Sequence, residues 1–181
     1  LTSKNNPVQL GNANLDAEKI RTLEFFSGYR TPSMQLGLTV FENEISDSII
    51  QVPLENDPRV SHENSGSTHN GGWELEFNYQ PSRKLQLISN VTQYEKISNS
   101  SLSSPRKLGS FIVNYQHEDV NLNFNGLYRS NRQQILPNVE SLGSFWQFNA
   151  MFRYRMKPDM ELSLGMSNLF DKDIRTVAFS T

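Results

Sequence analysis

The stretch WQFNAMFRYRMKPDMELSLGMSNLFDK, which runs from Trp146 to Lys172, decides the fold prediction. Apolar and polar side chains alternate up to the turn signal at Pro158, and the alternation resumes after it. Successive side chains of a β-strand point to opposite faces, so each half predicts a strand with one apolar and one polar face. Both strands are long for a soluble hairpin, and a bilayer core requires strands of about 9–11 tilted residues.

The same alternation recurs along the chain and predicts about eight antiparallel strands. The clearest is Trp73–Gln80, where Trp, Leu, Phe and Tyr alternate with Glu, Asn and Gln. Phe26 and Ile88 are apolar residues that break the alternation. The predicted strands are Glu18–Arg30, Met34–Asn43, Trp73–Gln80, Lys84–Tyr94, a strand around Phe111–Tyr115, Val120–Tyr128 and the two halves of the opening stretch.

Short and long connections alternate strictly between the predicted strands. The short turns fall at Pro32, Pro81, His117 and Pro158, and the long polar connections fall around Pro58, Ser100 and Pro137. Outer-membrane barrels have short turns at one rim and long loops at the other, whereas soluble β-sandwiches do not require this arrangement. The sequence therefore predicts an all-β fold, an antiparallel up-and-down segment of a transmembrane β-barrel. A β-sandwich is the alternative.

The two faces of the predicted strands differ in chemistry. Amphipathic rings at both edges of the apolar band would form the aromatic girdle of a membrane barrel. The predicted girdle residues are Trp73, Tyr79, Tyr115, Tyr128, Trp146 and Tyr154. The polar residues of the other face are predicted to line the lumen. These residues are Glu74, Glu76, Asn121, Asn123, Asn125 and Arg153.

Composition excludes several classes of protein. The net charge of −2 and a pI near 5.9 give no argument for nucleic acid as a partner. Because the chain has no cysteine, neither disulfides nor thiolate metal sites are available. Mean hydropathy is −0.56 and no apolar run is long enough for a membrane helix. A β-barrel stays possible, since its polar lumen and loops lower the average hydropathy.

The longest connection, Ser46–Asn70, is predicted to be a polar loop at the outer rim, and disorder is the rival interpretation of this stretch. Long loops on a rigid scaffold often carry binding sites. The ligand-binding candidates in this loop are Asp57, His62, Glu63 and His69. Their spacing matches no standard metal motif, so we predict no metal site and no cofactor.

The carboxylates Glu74 and Glu76 are the residues that most resemble a catalytic pair. They share one face of a strand roughly 7 Å apart, a separation that would suit an inverting glycosidase. Two carboxylates of a lumen wall explain the same pattern without any chemistry. We therefore predict no catalytic residue, and a protein that is not an enzyme.

Four segments resemble motifs of TonB-dependent outer-membrane receptors. Asn14–Arg30 resembles the family's Asn-Pro-x-Leu-x-Pro-Glu loop that leads into a barrel strand, although the prolines are replaced. Leu36–Ser48 resembles the next strand, and Gly72–Gln80 resembles a Gly-x-Glu-x-Glu strand. Asn168–Lys172 resembles the Asn-Leu-Phe-Asp-Lys element that follows the penultimate strand. The four segments occur in the family's order and span nearly the whole chain.

The resemblance implies active uptake of a scarce ligand across the outer membrane of a Gram-negative cell. Siderophore-iron, haem, cobalamin and a glycan are the ligand classes it implies. The implied partners are outer-membrane lipid, an extracellular small molecule and the TonB complex, which would act through parts outside this chain. The alternatives are an outer-membrane pore or structural barrel without TonB coupling and a soluble β-sandwich binding module.

The resemblance also bears on domain organisation. We expect residues 1–181 to be one partial domain, the C-terminal part of a receptor barrel. The connection pattern predicts at least one further strand at each end, because complete barrels normally start and finish on the short-turn side. We expect the plug domain and the last barrel strand to lie outside the chain.

Overall fold

A computed structural model describes the protein at residues 8–55, 57–97, 104–132 and 141–175. None of these residues belongs to a helix that is long and apolar enough to cross a membrane. In chain order, the strands are Lys19–Arg30 (β1), Met34–Ser46 (β2), Ser48–Leu54 (β3), Asp57–Ser65 (β4), Thr68–Ser82 (β5), Leu85–Lys96 (β6), Lys107–His117 (β7), Val120–Arg129 (β8), Phe145–Lys157 (β9) and Met160–Met166 (β10).

Most of the strands belong to one sheet, in the order β1-β2-β5-β6-β7-β8-β9-β10, and β3 pairs with β4 in a separate sheet. From β5 to β10, each strand pairs antiparallel with the next one in the chain. The described residues contain no helix, and the prediction of an all-β, up-and-down antiparallel fold is confirmed.

The chain forms two compact units. The first comprises Leu1–Leu23 and Glu42–Asn70, and the second comprises Glu24–Phe41 and Gly71–Thr181. The first unit contains the hairpin of β3 and β4, and the second contains all of β6 to β10.

The short turns lie close to where the sequence predicts them. The residues that join β1 to β2, β5 to β6, β7 to β8 and β9 to β10 are 31–33, 83–84, 118–119 and 158–159. In the first turn, the Thr31 N–H donates to Met34 O at 2.8 Å, and the Met34 N–H donates to Thr31 Oγ1 at 3.0 Å. The predicted long connections around Ser100 and Pro137 have their centres outside the described residues.

The stretch Ser46–Asn70, predicted as a long polar connection, consists mostly of two strands that the sequence analysis did not predict. β3 and β4 form an antiparallel hairpin in which Ile49 lies opposite Asn64 and Val52 opposite Ser61. No side chain of β3 or β4 is buried. Without a covered face the strands need no apolar alternation, and this alternation is the signal that sequence-based prediction relies on.

The pairing register defines the two faces of the large sheet, because residues directly opposite each other share a face. One row of the apolar face runs across six strands through Tyr79, Leu87, Val113, Phe124, Ala150 and Met166. A second row runs through Leu85, Tyr115, Leu122, Phe152 and Leu164. On the polar face, one row runs through Gln116, Asn121, Arg153 and Ser163.

The large sheet has almost no buried core. Among the described residues no large side chain is fully buried, and only Leu142 and Phe145 are buried hydrophobic residues. On the apolar face Leu122 is 43% exposed and Leu164 is 59% exposed. Sheets of soluble domains bury such a face against a second layer. Within the described part of the chain, no such layer covers it.

Phe26 lies on the polar face, and two glycines make room for its ring. A Cβ atom on Gly28 would lie 3.1 Å from the ring, and one on Gly37 would lie 3.2 Å from it. Ile88, the other exception to the alternation, lies opposite Ile112 on the polar face. The polar face therefore carries a few apolar side chains within an otherwise polar wall.

Candidate functional site

The residues predicted to line the lumen all share the polar face of the sheet. An amide ladder runs across this face. Asn149 Nδ2 donates to Asn125 Oδ1 at 2.8 Å, and Asn125 Nδ2 donates to Asn123 Oδ1 at 3.1 Å. Asn121 Nδ2 donates to Asn114 Oδ1 at 3.2 Å. These amides partly satisfy one another and keep further donors and acceptors for water or a ligand.

Near the short turns, the polar face forms a groove of about 310 Å³. Arg153 and Arg155 line it beside Asp119 and Glu161, together with amide side chains such as Asn121. Charges of both signs therefore meet at this end of the polar face. Such a surface suits water or a polar partner and does not suit a hydrocarbon.

Glu74 and Glu76 lie on the same polar face. Thr92 Oγ1 donates to Glu74 Oε1 at 3.4 Å, and Glu76 lies opposite Asn90. Glu76 and Asn90 also line a groove of about 510 Å³ beside the Phe26 ring. The two carboxylates thus belong to the polar face of the sheet, and their place in a lumen wall stays a prediction.

The residues of the predicted aromatic girdle all share the apolar face. Tyr79, Tyr115 and Tyr154 lie near the short turns, and Trp73, Tyr128 and Trp146 lie near the other ends of their strands. The Tyr128 and Trp146 rings are 5.1 Å apart between centroids. Rings at both edges of one face match the arrangement expected of a girdle. Whether this face meets lipid stays a prediction.

The Asn168–Lys172 segment forms a turn closed by one side chain. Asn168 Nδ2 donates to Lys172 O at 3.0 Å, and the Lys172 N–H donates to Asn168 Oδ1 at 3.1 Å. The Asn168 N–H in turn donates to Asn149 Oδ1 at 2.9 Å. Asn168 has a φ of 51°, a left-handed conformation that asparagine tolerates better than most residues. This motif therefore has a structural role, and it connects to the amide ladder through Asn149.

An ion pair stands at the start of β4. Arg59 Nη2 lies 2.6 Å from Asp57 Oδ2, and Arg59 Nε lies 3.0 Å from Asp57 Oδ1. The side-chain hydrogen bonds from Arg59 lower the pKa of Asp57 from 3.8 to about 2, and the Arg59 N–H adds to this effect. Asp57 is therefore engaged within the hairpin.

The segment before β1 is tied to β4 by hydrogen bonds that the sequence did not reveal. Asn64 Oδ1 accepts from the Asp16 N–H at 2.9 Å, while Asn64 Nδ2 donates to Asp16 O at 3.0 Å and to Asp47 O at 2.7 Å. The Leu10 N–H donates to Val60 O at 2.8 Å. The hairpin and the preceding segment thus form one ordered, hydrogen-bonded unit.

The ligand-binding candidates of this unit do not form one cluster. His62 and Glu63 are consecutive on β4, so their side chains point to opposite faces. His69 Nε2 lies 3.8 Å from Glu44 Oε1, and Asp57 pairs with Arg59. No group of three His, Asp or Glu side chains within the described ranges could hold a metal ion. Any recognition by these residues would use them separately.

A buried corner at the end of β8 was missed by sequence reasoning. The backbones of Arg132 and Leu142 exchange hydrogen bonds at 2.9 and 2.8 Å, and Arg132 Nη2 donates to Arg175 O at 3.0 Å. Arg132 is only 6% exposed. No periodic pattern marks Arg132, because it lies three residues beyond Arg129, the last residue of the strand.

A family whose description is "TonB dependent receptor-like, beta-barrel" matches residues 2–169. Solved structures share the fold. A mutant of the ferric enterobactin receptor PfeA from Pseudomonas aeruginosa is 20% identical, with a TM-score of 0.75 over 91% of this chain and 27% of that one. The ferric-catecholate import receptor Fiu from K12 E. coli is 17% identical, with a TM-score of 0.72 over 90% and 25%.

The copper transporter OprC is also 20% identical, with a TM-score of 0.70 over 91% of this chain and 27% of that one. At such identities these structures show the fold alone, and the chain spans roughly a quarter of their length. The family match supports a conclusion about the family itself, because it spans nearly the whole chain and agrees with the two-faced antiparallel sheet. This chain belongs to the TonB-dependent receptor family, and residues 2–169 match the family's β-barrel.

Proposed function

We propose that this chain forms part of the barrel wall of an outer-membrane receptor that takes up a scarce ligand in a TonB-dependent manner. The observation that carries the proposal is the large sheet with one continuous apolar face and one polar face, neither of which covers a buried core among the described residues. The apolar face would contact lipid, and the polar face would line the lumen. Membrane barrels alternate apolar and polar side chains in this way.

The energetics of the apolar face support a lipid environment. Leaving apolar surface in water costs about 25 cal/mol per Å² relative to burying it. Leu122, Leu162 and Leu164 alone are 43%, 53% and 59% exposed. Lipid chains would cover this surface, and the aromatic rings at the two edges would lie at the membrane interfaces.

We base the proposed class of ligand on the family to which the chain belongs. Structures of the same fold are named for ferric enterobactin, for ferric catecholates and for copper. We propose siderophore-iron as the first ligand class to test, followed by haem, cobalamin and glycans. Uptake leaves the ligand chemically unchanged, so the proposed role is transport without catalysis. The TonB complex would act through parts of the receptor outside this chain.

Uptake assays test this function directly. The full-length receptor that contains this chain is expressed in a Gram-negative strain that lacks its own receptors, with and without TonB. Radiolabelled ferric siderophores, haem, cobalamin and oligosaccharides are then supplied one at a time. We expect at least one of them to accumulate, and accumulation to stop without TonB.

The alternative functions give different results in the same assay. Entry that continues without TonB would favour a passive pore and overturn the proposal. A receptor that is recovered from the soluble fraction without detergent would favour a soluble binding module. Failure of every ligand class, in a protein that is correctly inserted in the outer membrane, would also contradict the proposal.

A further inference from the structure

The hairpin of β3 and β4 has two backbone edges, which the proposed function does not explain. Within the described residues, β3 and β4 form a two-stranded sheet of their own. An unpaired strand edge presents a row of N–H and C=O groups on which another strand can pair. Extended peptides and second copies of a protein bind to such edges by strand addition. A hairpin with two open edges would therefore allow unwanted pairing.

The segment before β1 covers the far edge of β4, the edge that points away from β3. The Val60 N–H donates to Val8 O at 3.0 Å, and the Leu10 N–H donates to Val60 O at 2.8 Å. Two positions further along β4, His62 O accepts from Asn12 Nδ2 at 2.8 Å. Residues two positions apart on a strand direct their backbone groups to the same edge. The segment thus occupies this edge of the hairpin with backbone and side-chain bonds.

The far edge of β3 is closed at two positions by different means. The Ile49 N–H points away from β4 and donates to Glu18 Oε1 at 2.8 Å. By the alternation of the ladder, Gln51 and Pro53 direct their backbone groups to the same edge. Proline has no N–H to donate, and within sheets it is confined to edges of this kind. Of these three positions, only Gln51 offers an N–H that a further strand could use.

Glu18 lies where a further strand would have to bind. Its Oε1 is at an ordinary hydrogen-bond distance from the Ile49 nitrogen, in the place that a carbonyl oxygen of an added strand would take. Glu18 is exposed and directly precedes β1. An incoming strand would have to break this bond and remove water from the carboxylate, and burying an unpaired charge is costly. A charged side chain at an edge therefore opposes pairing.

We propose that Glu18 and Pro53 keep β3 closed to strand addition, while the segment before β1 closes β4. The hairpin then contacts its partners through side chains, and neither an extended peptide nor the hairpin of a second copy pairs with its backbone. The inference concerns an interaction surface and depends neither on TonB-dependent uptake nor on the identity of the ligand.

Amide hydrogen exchange tests the role of Glu18. The full-length receptor in detergent micelles is compared with Glu18→Ala and with Glu18→Gln, which keeps a side-chain oxygen as the acceptor. We expect the Ile49 amide to exchange at least tenfold faster in Glu18→Ala and to stay protected in Glu18→Gln. The Val60 amide, which donates to Val8, should exchange at the same rate in all three proteins if the hairpin stays folded.

A strand-addition probe tests whether the edge is closed. The probe is a fluorescent peptide that copies Ser48–Leu54, with valine in place of Pro53 and two lysines added at its end for solubility. Fluorescence anisotropy measures its binding to the full-length receptor. We expect the double variant Glu18→Ala with Pro53→Val to bind the peptide at least tenfold more tightly than the unmodified receptor. The matched double variant Glu18→Gln with Pro53→Val should bind it more weakly than the alanine variant.

Two results would overturn the inference. One is an unmodified receptor that binds the peptide as tightly as the alanine double variant, and the other is an Ile49 amide that exchanges equally fast in Glu18→Gln and Glu18→Ala. If Glu18→Ala also speeds exchange at Val60, the hairpin has loosened, and Pro53→Val alone provides the test. This variant keeps the Glu18 bond and should bind the peptide at least threefold more tightly than the unmodified receptor. Equal binding would contradict the proposal.

Discussion

At the scale of single residues, the Asp57–Arg59 pair is the clearest electrostatic feature of the hairpin. Hydrogen bonds from the Arg59 side chain favour the ionised carboxylate and lower the pKa of Asp57 to about 2. A carboxyl whose pKa is lower in the folded state stabilises that state above its ordinary pKa of 3.8. The stabilisation is lost as the pH falls through about 2.

We expect the Asp57 carboxyl to titrate with a midpoint near pH 2 in the full-length receptor. Carbon-13 NMR of labelled aspartate measures this midpoint. Arg59→Gln removes the charged guanidinium group and should return the midpoint towards 3.8. Lys19→Gln is the matched control, because Lys19 pairs with Asp47 instead. A midpoint near 3.8 in the unmodified protein would show that the ion pair does not form.

Gly72 is a second residue with a defined local role. The register between β5 and β6 shifts between Gly71 and Gly72, and a Cβ atom on Gly72 would overlap with Gln93 O. The obstructing atom belongs to the backbone of the neighbouring strand, so it cannot move aside as a flexible side chain could. Only glycine therefore allows this close approach.

Gly72→Ala should destabilise the barrel by about 1–3 kcal/mol, the usual cost of forcing extra atoms into a packed site. Urea unfolding of the receptor in liposomes measures the loss. Gly109→Ala is the matched control, since its Cβ atom would meet Tyr128 Cβ at 3.6 Å and Asn90 O at 3.9 Å, both ordinary contact distances. Equal stability of the two variants would mean that the bulge at Gly72 relaxes without cost.

At the scale of the elements, β8 shows the division between the two faces. Leu122 lies between Tyr115 and Phe152 on the apolar face, while Asn123 lies between Asn114 and Met151 on the polar face. The two positions are adjacent in sequence and have the same strand neighbours. Any difference between substitutions at these positions therefore reports the environment of each face.

Leu122→Arg should impair folding into liposomes far more than Asn123→Arg. An arginine near the bilayer midplane costs about 2–4 kcal/mol on the lipid face, whereas lumen substitutions cost much less. The yield of folded barrel, read from its shifted mobility on gels without heating, measures the effect. Equal losses in both variants would contradict the assignment of the faces.

The hairpin of β3 and β4 is the element to which we assign ligand recognition within the first unit. It is ordered by its own ladder and by the Asn64 hydrogen bonds, which makes it a rigid platform for His62 and Glu63. Rigid elements at the end of a scaffold present side chains to ligands at a lower entropic cost than disordered loops. The assignment is a proposal that a deletion can test.

Replacing Ser48–Ser65 by two glycines should leave barrel assembly intact, because no residue of the hairpin belongs to the large sheet. Binding of the imported ligand should weaken more than tenfold, equivalent to about 1.4 kcal/mol. Binding of the ligand to outer membranes that contain the variant, compared with membranes that contain the unmodified receptor, measures this loss. Unchanged binding in a correctly assembled barrel would assign recognition to other parts of the receptor.

At the scale of the whole molecule, the alternation of short turns and long connections defines an orientation. The short turns that follow β1, β5, β7 and β9 should face the periplasm, because outer-membrane barrels have short turns on that side. The hairpin of β3 and β4, inserted between β2 and β5, should then face the outside of the cell.

Single cysteines test this orientation, and the chain has no native cysteine to interfere. A cysteine at Glu55, between β3 and β4, should react with an impermeant reagent on intact cells. A cysteine at Pro158, between β9 and β10, should react only after the outer membrane is permeabilised. Labelling of position 158 in intact cells would reverse the proposed orientation.

The sequence by itself determined the main sheet and its two faces. Strand alternation is a local property, and the residues from Trp146 to Met166 show it without help from distant contacts. The tight turns are also local, because residues such as Pro158 favour a turn wherever the neighbouring strands lie. The chemistry of the polar and apolar faces therefore followed from residue order.

Only the tertiary structure decided the rest of the candidate site. The pairing of β3 with β4 depends on backbone hydrogen bonds and on Asn64 reaching Asp16, 48 positions earlier in the chain. The position of the Phe26 ring depends on Gly37 in the next strand. The burial of Arg132 depends on its hydrogen bonds with Leu142 and Arg175. Such contacts join residues that are distant in sequence, and a periodic pattern records nothing about them.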